Sequence, residues 1–563
     1  MNLNIRANAQ NTFDAIVVGS GISGGWAAKE LTEKGLSVLL LERGGPVQHP
    51  NYPSGTKHPW EIGYGGHLTQ EDRIKSYVQA RHFSFQGDNK QYYINDQENP
   101  YHENKRFDWI RANVVGGRSL LWGRQSYRWS DLDFEANVRD GVAVDWPLRY
   151  RDIEPWYAYV EKFVGISGQA EGIPHLPDSI FQPPMEMNCA EVDLKQRLKK
   201  SFPERHITIG RVANLTAPVQ GRGVCQYRDA CHWGCPYGAY FSTNSSTLPA
   251  AFKTGRLTLR PHSIVNQVLY DDTRSKARGV EVIDAETREV IEFSARLIFL
   301  NAATLGTTFI LLNSRSSRFP NGLGNDSDQV GRNIMDHHKQ AGASCEVEGF
   351  DDQYYRGRRP NGLYIPRFRN LTDQHPDFIR GYGFQGGAGR DGWAELAENK
   401  LGTELKSAVQ TPGPWRFWFG GFGECLPYSD NRAMLNKKQH DKWGRPTLTL
   451  DVSFRQNEQA MNKDMAVSMA EMLETMGYEK VKPHQNMSFP GNANHEMGTA
   501  RMGRDPKTSV LNGFNQMHAV QNVFITDGSC MTSASCVNPS LTYMALTARA
   551  CDYAVKEINK GNL

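Results

Sequence analysis

Residues 13–43 read FDAIVVGSGISGGWAAKELTEKGLSVLLLER, and this stretch decides the fold. The run Ala15-Ile16-Val17-Val18 is short, apolar and β-branched enough for a strand buried on both faces of a parallel sheet. Gly19, Gly21 and Gly24 follow at G-x-G-x-x-G spacing, and Ala27, Ala28 and Leu31 then recur at helical intervals. A second apolar strand, Val38-Leu39-Leu40-Leu41, ends at Glu42. In such a unit the first glycine permits the tight turn, the second lets backbone approach a pyrophosphate, and the third lets the helix pack on the strand. The helix N-terminus then meets the phosphates with free N–H groups and the positive end of its dipole. Glu42, 18 residues past Gly24, stands where an acid accepts the ribose hydroxyls of an adenine dinucleotide. An incidental glycine turn would explain three glycines alone. Strand, turn, helix, second strand and acid together predict dinucleotide binding.

A chain of 563 residues exceeds one simple core and predicts two or three domains. Hydrophobic content of 39% and charged content of 22% suit a soluble globular protein, and a net charge of +3 with dispersed basic residues gives no reason to expect nucleic acid. No stretch approaches a membrane span. Residues 1–12 are polar and carry no secretory leader, which on its own predicts a cytoplasmic location. Nine cysteines are an odd number, and three crowd between Cys225 and Cys235, a pattern of metal or redox chemistry rather than a disulfide framework. The 12 tryptophans and 22 tyrosines fit a carbohydrate-binding surface, although core packing explains most aromatics.

Farther along, residues 50–110 show little periodicity and read as extended excursions. Val114-Val115-Gly116-Gly117-Arg118-Ser119 pairs two glycines beside an apolar run, either an ordinary turn or a close approach to a flat ligand. A helix is expected through Ile153, Trp156, Tyr157 and Val160, and a loop and short helix over 166–200. Strands at 257–259, 264–269, 277–283 and 290–293 predict a small sheet, and 296–303 a further strand of the nucleotide-binding sheet running into a helix through Leu305, Phe309 and Leu312. Alternating strands at 344–347, 381–384, 415–422 and 447–454 predict an antiparallel sheet, crossed by a helix from about Asn457 to Met476. A strand at 523–527 and a helix from Leu541 close the chain.

Two late segments carry candidate chemistry: Asn494-His495-Glu496-Met497-Gly498-Thr499 and Ser535-Cys536-Val537-Asn538-Pro539-Ser540. Oxidising an alcohol with a flavin needs a base for the hydroxyl proton and an oriented C–H bond. Neutral histidine suits the first task, and asparagine can donate to the substrate oxygen. Pro539 is placed to begin a helix whose N–H groups would stabilise negative charge. A packed histidine and a capping asparagine are the plain alternatives. Cys225, Cys231 and Cys235 form C-x5-C-x3-C-P, which favours an iron–sulfur cluster or soft metal. Zinc held with His232, or free or disulfide-linked thiols, are the alternatives.

The glycine turn, the Gly116-Gly117 loop, Val330-Gly331-Arg332-Asn333, His495-Glu496-Met497-Gly498-Thr499, Asp527-Gly528-Ser529 and Asn538-Pro539-Ser540-Leu541-Thr542 occur in order. Together they resemble the glucose–methanol–choline (GMC) family of FAD-dependent alcohol and sugar oxidoreductases, over almost the whole chain. The resemblance implies an α/β (α+β overall) fold, with a Rossmann-like FAD-binding domain and an antiparallel-sheet substrate domain. It assigns 1–50, 110–135, 210–340 and 490–563 to the FAD domain, with the cysteine loop near 222–240. It makes 50–110 and 135–210 excursions or a lid, and 340–490 the substrate domain. The family's catalytic histidine maps to His495 and its second active-site position to Asn538. FAD contacts map to Gly19, Gly21, Gly24, Glu42, Arg43, Gly116, Gly117, Ser119, Val265, Ala302, Asp527 and Pro539. No histidine lies between Gly116 and Trp129 to bond FAD covalently, so FAD is expected to be non-covalent.

The cysteine spacing is similar to the 3Fe-4S motif in catalytic subunits of bacterial membrane-linked sugar dehydrogenases, with Cys225, Cys231 and Cys235 as ligands. That likeness implies a dehydrogenase rather than an oxidase, a small companion subunit and a c-type cytochrome acceptor. The companion can carry the export signal, so a periplasmic location is favoured over a cytoplasmic one. The expected substrate is a sugar or glycoside, first a glucoside oxidised at C3 to a 3-keto sugar, with glucose C1 or gluconate C2 next. An electron-relay flavoprotein without alcohol chemistry and a zinc-stabilised binding protein are readings of other classes.

Overall fold

A computed structural model of the chain describes residues 11–563 apart from positions between 48 and 62 and residues 354–359, 393–395 and 411. The start of the expected FAD domain and part of the 50–110 excursion lie outside the described residues. The opening unit forms as β1 (Thr12–Val18), α1 (Ile22–Glu33) and β2 (Val38–Leu41). β1 and β2 run parallel, with Ala15 opposite Val38 and Val18 opposite Leu41. Ala15–Val18 of β1 and all of β2 are buried on both faces, which is why these stretches are continuous apolar runs.

β3 (Leu257–Arg260) adds to β2 in parallel, and β4 (Ser263–Asp271) and β5 (Lys276–Asp284) follow as an antiparallel pair. β6 (Val290–Leu300) then serves two neighbourhoods. Residues 290–294 pair antiparallel with β5, residues 294–300 run parallel to β1, and 298–300 run parallel to Val523–Ile525. The pattern in the sequence predicts two strands here, 290–293 and 296–303, and places 257–259 in the small sheet. The structure makes 290–300 one strand and puts β3 in the parallel layer. Burial gives the reason: β3 and the 297–300 end of β6 are enclosed on both faces, whereas 290–296 keeps accessible residues. α2 (Thr304–Asn313) leaves the carboxyl end of β6.

A second sheet is wholly antiparallel. It contains β7 (His338–Val347), β8 (Leu363–Ile365), β9 (Tyr382–Arg390) and β10 (Trp415–Gly423), flanked by Thr208–Ile209 and Lys482–His484. α3 (Gln456–Thr475) lies across it and buries Met461, Met465, Met469 and Met472, a stripe at helical spacing. The predicted strand at 447–454 is not part of this sheet. Pro446–Asp451 pairs with Arg432–His440 and, in parallel, with His102–Glu103 as a separate three-stranded ribbon. Alternation identifies a half-buried strand but not the sheet it joins. α4 (Ser540–Asn559) packs beside α1, where Ala27, Ala28, Ala550 and Ala554 let the helices and the parallel sheet approach closely. No helix among the described residues is long and apolar enough to cross a membrane.

Candidate active site

A cavity of about 1410 Å³ runs from the β1–α1 turn to the inner face of the antiparallel sheet. At its glycine end, Gly19 has φ +91°, and a Cβ there would lie 2.3 Å from the Asn301 carbonyl oxygen. A Cβ on Gly24 would lie 1.7 Å from the Gly19 carbonyl oxygen, so this glycine serves helix–turn packing and is not on the cavity wall. Gly21 has open space where its Cβ would be and faces the cavity. It caps α1 without a capping side chain or a first-turn acid, so the helix presents an N-terminus suited to an anion. Glu42 accepts from the Ser20 N–H at 3.0 Å, the Ser20 hydroxyl at 2.6 Å and the Gly44 N–H at 2.8 Å. Four carboxylate lone-pair sites leave room for one further donor.

Ser20 also ties in the second glycine loop, because its hydroxyl accepts from the Gly116 N–H at 2.8 Å. Gly116 is left-handed at φ +99°, and a Cβ there would lie 1.9 Å from the Asn244 side-chain oxygen. It sits behind the wall, while Gly117 and Ser119 line it. Arg43, Val265 and Ala302 line it too. Asp527 joins from the far side, its carboxylate accepting from Thr307 Oγ1 at 2.5 Å and from the Ser529 N–H at 3.0 Å, and burial pushes its pKa up. Pro539 does not line the cavity but caps α4, whose neighbours Asn538 and Ser540 do. Buried polar atoms of wall residues, among them Asn301 Nδ2, Asn494 Oδ1 and Tyr543 Oη, have no hydrogen-bond partner in the protein. A bare helix N-terminus, an acid at the end of β2 and orphaned polar atoms fit an adenine dinucleotide.

At the other end, His495 and Asn538 meet: Asn538 Nδ2 lies 3.3 Å from His495 Nε2. Gln385 of β9 donates to Asn538 Oδ1 at 2.8 Å. Behind His495, His337 Nδ1 lies 2.7 Å from His495 Nδ1, and His337 Nε2 meets the Ser535 carbonyl. Asp336 holds the His495 loop by accepting from the backbone N–H groups of Gly491, Ala493 and His495 at 2.8, 3.1 and 3.0 Å. Burial, and then the Glu496 charge, raise Asp336 above the usual carboxylate range. Glu496 pairs with Arg118 at 2.7 Å. Burial, followed by the charges of His337, Lys339, Arg118 and His82, pushes His495 well below the ordinary histidine range, so it is neutral at neutral pH. A substrate hydroxyl between His495 Nε2 and Asn538 Nδ2 would donate to the first and accept from the second.

His337, Asp336 and Gln385 were not among the sequence candidates. They follow the Val330-Gly331-Arg332-Asn333 motif or lie in a strand, and nothing linear places residue 337 against residue 495. Glycines at 386, 387 and 420 keep the inner face of β9 and β10 shallow, and Trp418 and Phe422 stand along it in the cavity wall.

The cysteine candidates are only partly gathered to the site. Cys231 lines the cavity, whereas Cys225 and Cys235 do not. All three are free thiols of intermediate exposure. Burial pushes the Cys225 thiol up, and Cys231 and Cys235 add to the shift. The donor chemistry suits iron–sulfur binding, but among the described residues no three His, Cys, Asp or Glu side chains form a metal-ligand set.

Comparisons with known proteins identify the family. The N-terminal GMC oxidoreductase family profile matches residues 13–339 and the C-terminal one residues 427–547. The chain is 28% identical to 2-methyl-1,2-propanediol dehydrogenase of Mycolicibacterium austroafricanum, covering 96% of this chain and 94% of that protein. It is 25% identical to the fructose dehydrogenase large subunit of Gluconobacter japonicus, covering 99% and 100%, and 25% identical to the gluconate 2-dehydrogenase flavoprotein of Pantoea cypripedii, covering 96% and 93%. The fold matches pyridoxine 4-oxidase from Mesorbium loti with a TM-score of 0.58 at 17% identity, over 96% of this chain and 98% of that one. The chain belongs to the GMC oxidoreductase family, whose membership implies FAD and a reaction on CH–OH donors.

Proposed function

We propose that the protein is a dehydrogenase that oxidises a secondary hydroxyl of a sugar or glycoside, first among them the C3 hydroxyl of a glucoside, giving a 3-keto sugar. The observation that carries this reading is the His495–Asn538 pair, 3.3 Å apart in the wall of the cavity whose other end suits a dinucleotide. The substrate hydroxyl donates its proton to His495 Nε2 while Asn538 Nδ2 holds the oxygen. The hydrogen on the same carbon leaves with its electron pair, and a ketone remains. Bound FAD supplies the acceptor for that hydride. Gly19, Gly21, Glu42, Gly117 and Asp527 are the residues that would hold it, without a covalent bond.

Sugar chemistry draws support from the polar and aromatic wall around Gln385 and Trp418 and from relatives named for fructose and gluconate. Oxidation at gluconate C2 or glucose C1 is the second reading, favoured by the gluconate 2-dehydrogenase relative. We also assign Cys225, Cys231 and Cys235, on their spacing, to a 3Fe-4S cluster. Bound there, a cluster would supply a one-electron exit to a protein acceptor. One relative's name, a large subunit, supports a companion subunit, and a c-type cytochrome in the periplasm is the proposed destination.

The test is anaerobic addition of methyl glucosides, glucose and gluconate to the purified protein, with product NMR. Bleaching of the flavin by a glucoside and a 3-keto product support the reading. Bleaching by gluconate alone supports the second. Bleaching by none of them overturns both. Iron and acid-labile sulfide near three irons per chain would support the cluster; zinc or no metal would reject it. Copurification and cell fractionation test the companion and the compartment.

A further inference from the structure

His337 is fully buried between the Ser535 carbonyl and the His495 ring. A carbonyl oxygen only accepts, so the proton of this contact sits on His337 Nε2. Burial pushes His337 down to about 4, so the neutral ring owns a single N–H. Its Nδ1 is therefore a bare acceptor, 2.7 Å from His495 Nδ1. Two bare nitrogens do not attract at that distance, so His495 Nδ1 carries the proton. His495 is itself neutral, which leaves its Nε2 as an exposed lone pair.

The other side agrees. Gln385 Nε2 occupies Asn538 Oδ1, which turns the Asn538 NH₂ group toward that lone pair. From Ser535 through His337, His495 and Asn538 to Gln385, each donor meets an acceptor. A free imidazole side chain in water prefers the opposite tautomer, with its proton on Nε2 and no lone pair there. The protein must therefore impose the useful form.

We propose that His337, anchored by the Ser535 carbonyl, is a positioning residue that fixes the tautomer of His495 and so aims its basic nitrogen at the substrate hydroxyl. This rests on the reading of His495 as the base.

The test is ¹⁵N NMR of histidine-labelled resting FAD enzyme at neutral pH, with His495 assigned by its loss in H495A. Wild type is expected to show protonated Nδ1 and bare Nε2 at residue 495. His337→Gln can still donate to Ser535 and accept from His495, and should keep that pattern. His337→Leu can do neither, and should move the proton toward Nε2 and slow flavin reduction by methyl glucoside about tenfold or more. A wild-type His495 protonated at Nε2 overturns the proposal, as does an unchanged tautomer in folded, FAD-loaded H337L. Should H337L not fold, the wild-type tautomer and H337Q still decide. The NMR readout is independent of turnover. Activity surviving in H495A would thus sink the base assignment while leaving the tautomer result standing.

Discussion

One end of the cavity is built by Gly19, Gly21 and Glu42, with Gly24 packed behind the turn, all between residues 19 and 42; the other is built by Gln385, His495 and Asn538, with His337 behind His495, from four segments between 337 and 538. The glycine end is a local structure, held by backbone conformation and by contacts such as the Gly19 carbonyl under Gly24. The histidine end is a tertiary structure, held by side chains brought together from distant segments of the chain. Damage should therefore differ in kind. The glycine end should fail as loss of cofactor and stability, and the histidine end as loss of chemistry with the cofactor retained.

The largest expected effect is His495→Ala. Removing a general base costs roughly 10²–10⁴-fold in rate, so flavin reduction should fall by that factor while FAD stays bound. Stopped-flow absorbance with sugar reads both. At the opposite end, Gly24→Ala drives a Cβ to 1.7 Å from a backbone oxygen. It should lower stability by about 3 kcal/mol and release FAD, seen as a lower melting temperature and a colourless preparation. Equal flavin loss in both variants would erase the contrast.

Acid should act on the histidine end first. His337 is pushed down to about 4 and His338 to about 3, both chiefly by burial. The unfolded chain binds protons at these rings below about pH 6.5, whereas the fold refuses them. Stability is thus full above about pH 6.5 and is lost as pH falls toward the folded values, by on the order of 3 kcal/mol for His337 alone. Melting temperatures at pH 7 and pH 4.5 should show the drop, and His338→Leu should blunt it. The smallest effect is at Gln385. Replacing it by Leu frees the Asn538 amide to turn and should cost about 1 kcal/mol, measured as a several-fold rise in KM or fall in kcat with unchanged FAD content.

The same contrast explains what could be read from the sequence. The β1–α1–β2 unit was legible because its glycines, apolar runs and acid follow one another. His495 and Asn538 were legible because each sits in a segment that resembles a family motif. His337 was not, because its role exists only through residues 495 and 535. The continuity of β6 was missed for a related reason: its two halves differ in burial, so their patterns look like two strands. The strand at 446–451 was seen, but its partners at 432–440 and 102–103 are set by tertiary packing. The cysteine spacing was plain, whereas the gathering of its thiols depends on the loop's conformation.

The role of His495 is tested most directly by anaerobic flavin absorbance, followed after mixing FAD-loaded wild type and H495A with methyl glucoside. With His495 as the base, the wild type bleaches rapidly and the variant at least about 100-fold more slowly, with equal flavin bands beforehand. Bleaching at the same rate in both would contradict the assignment of His495 as the base.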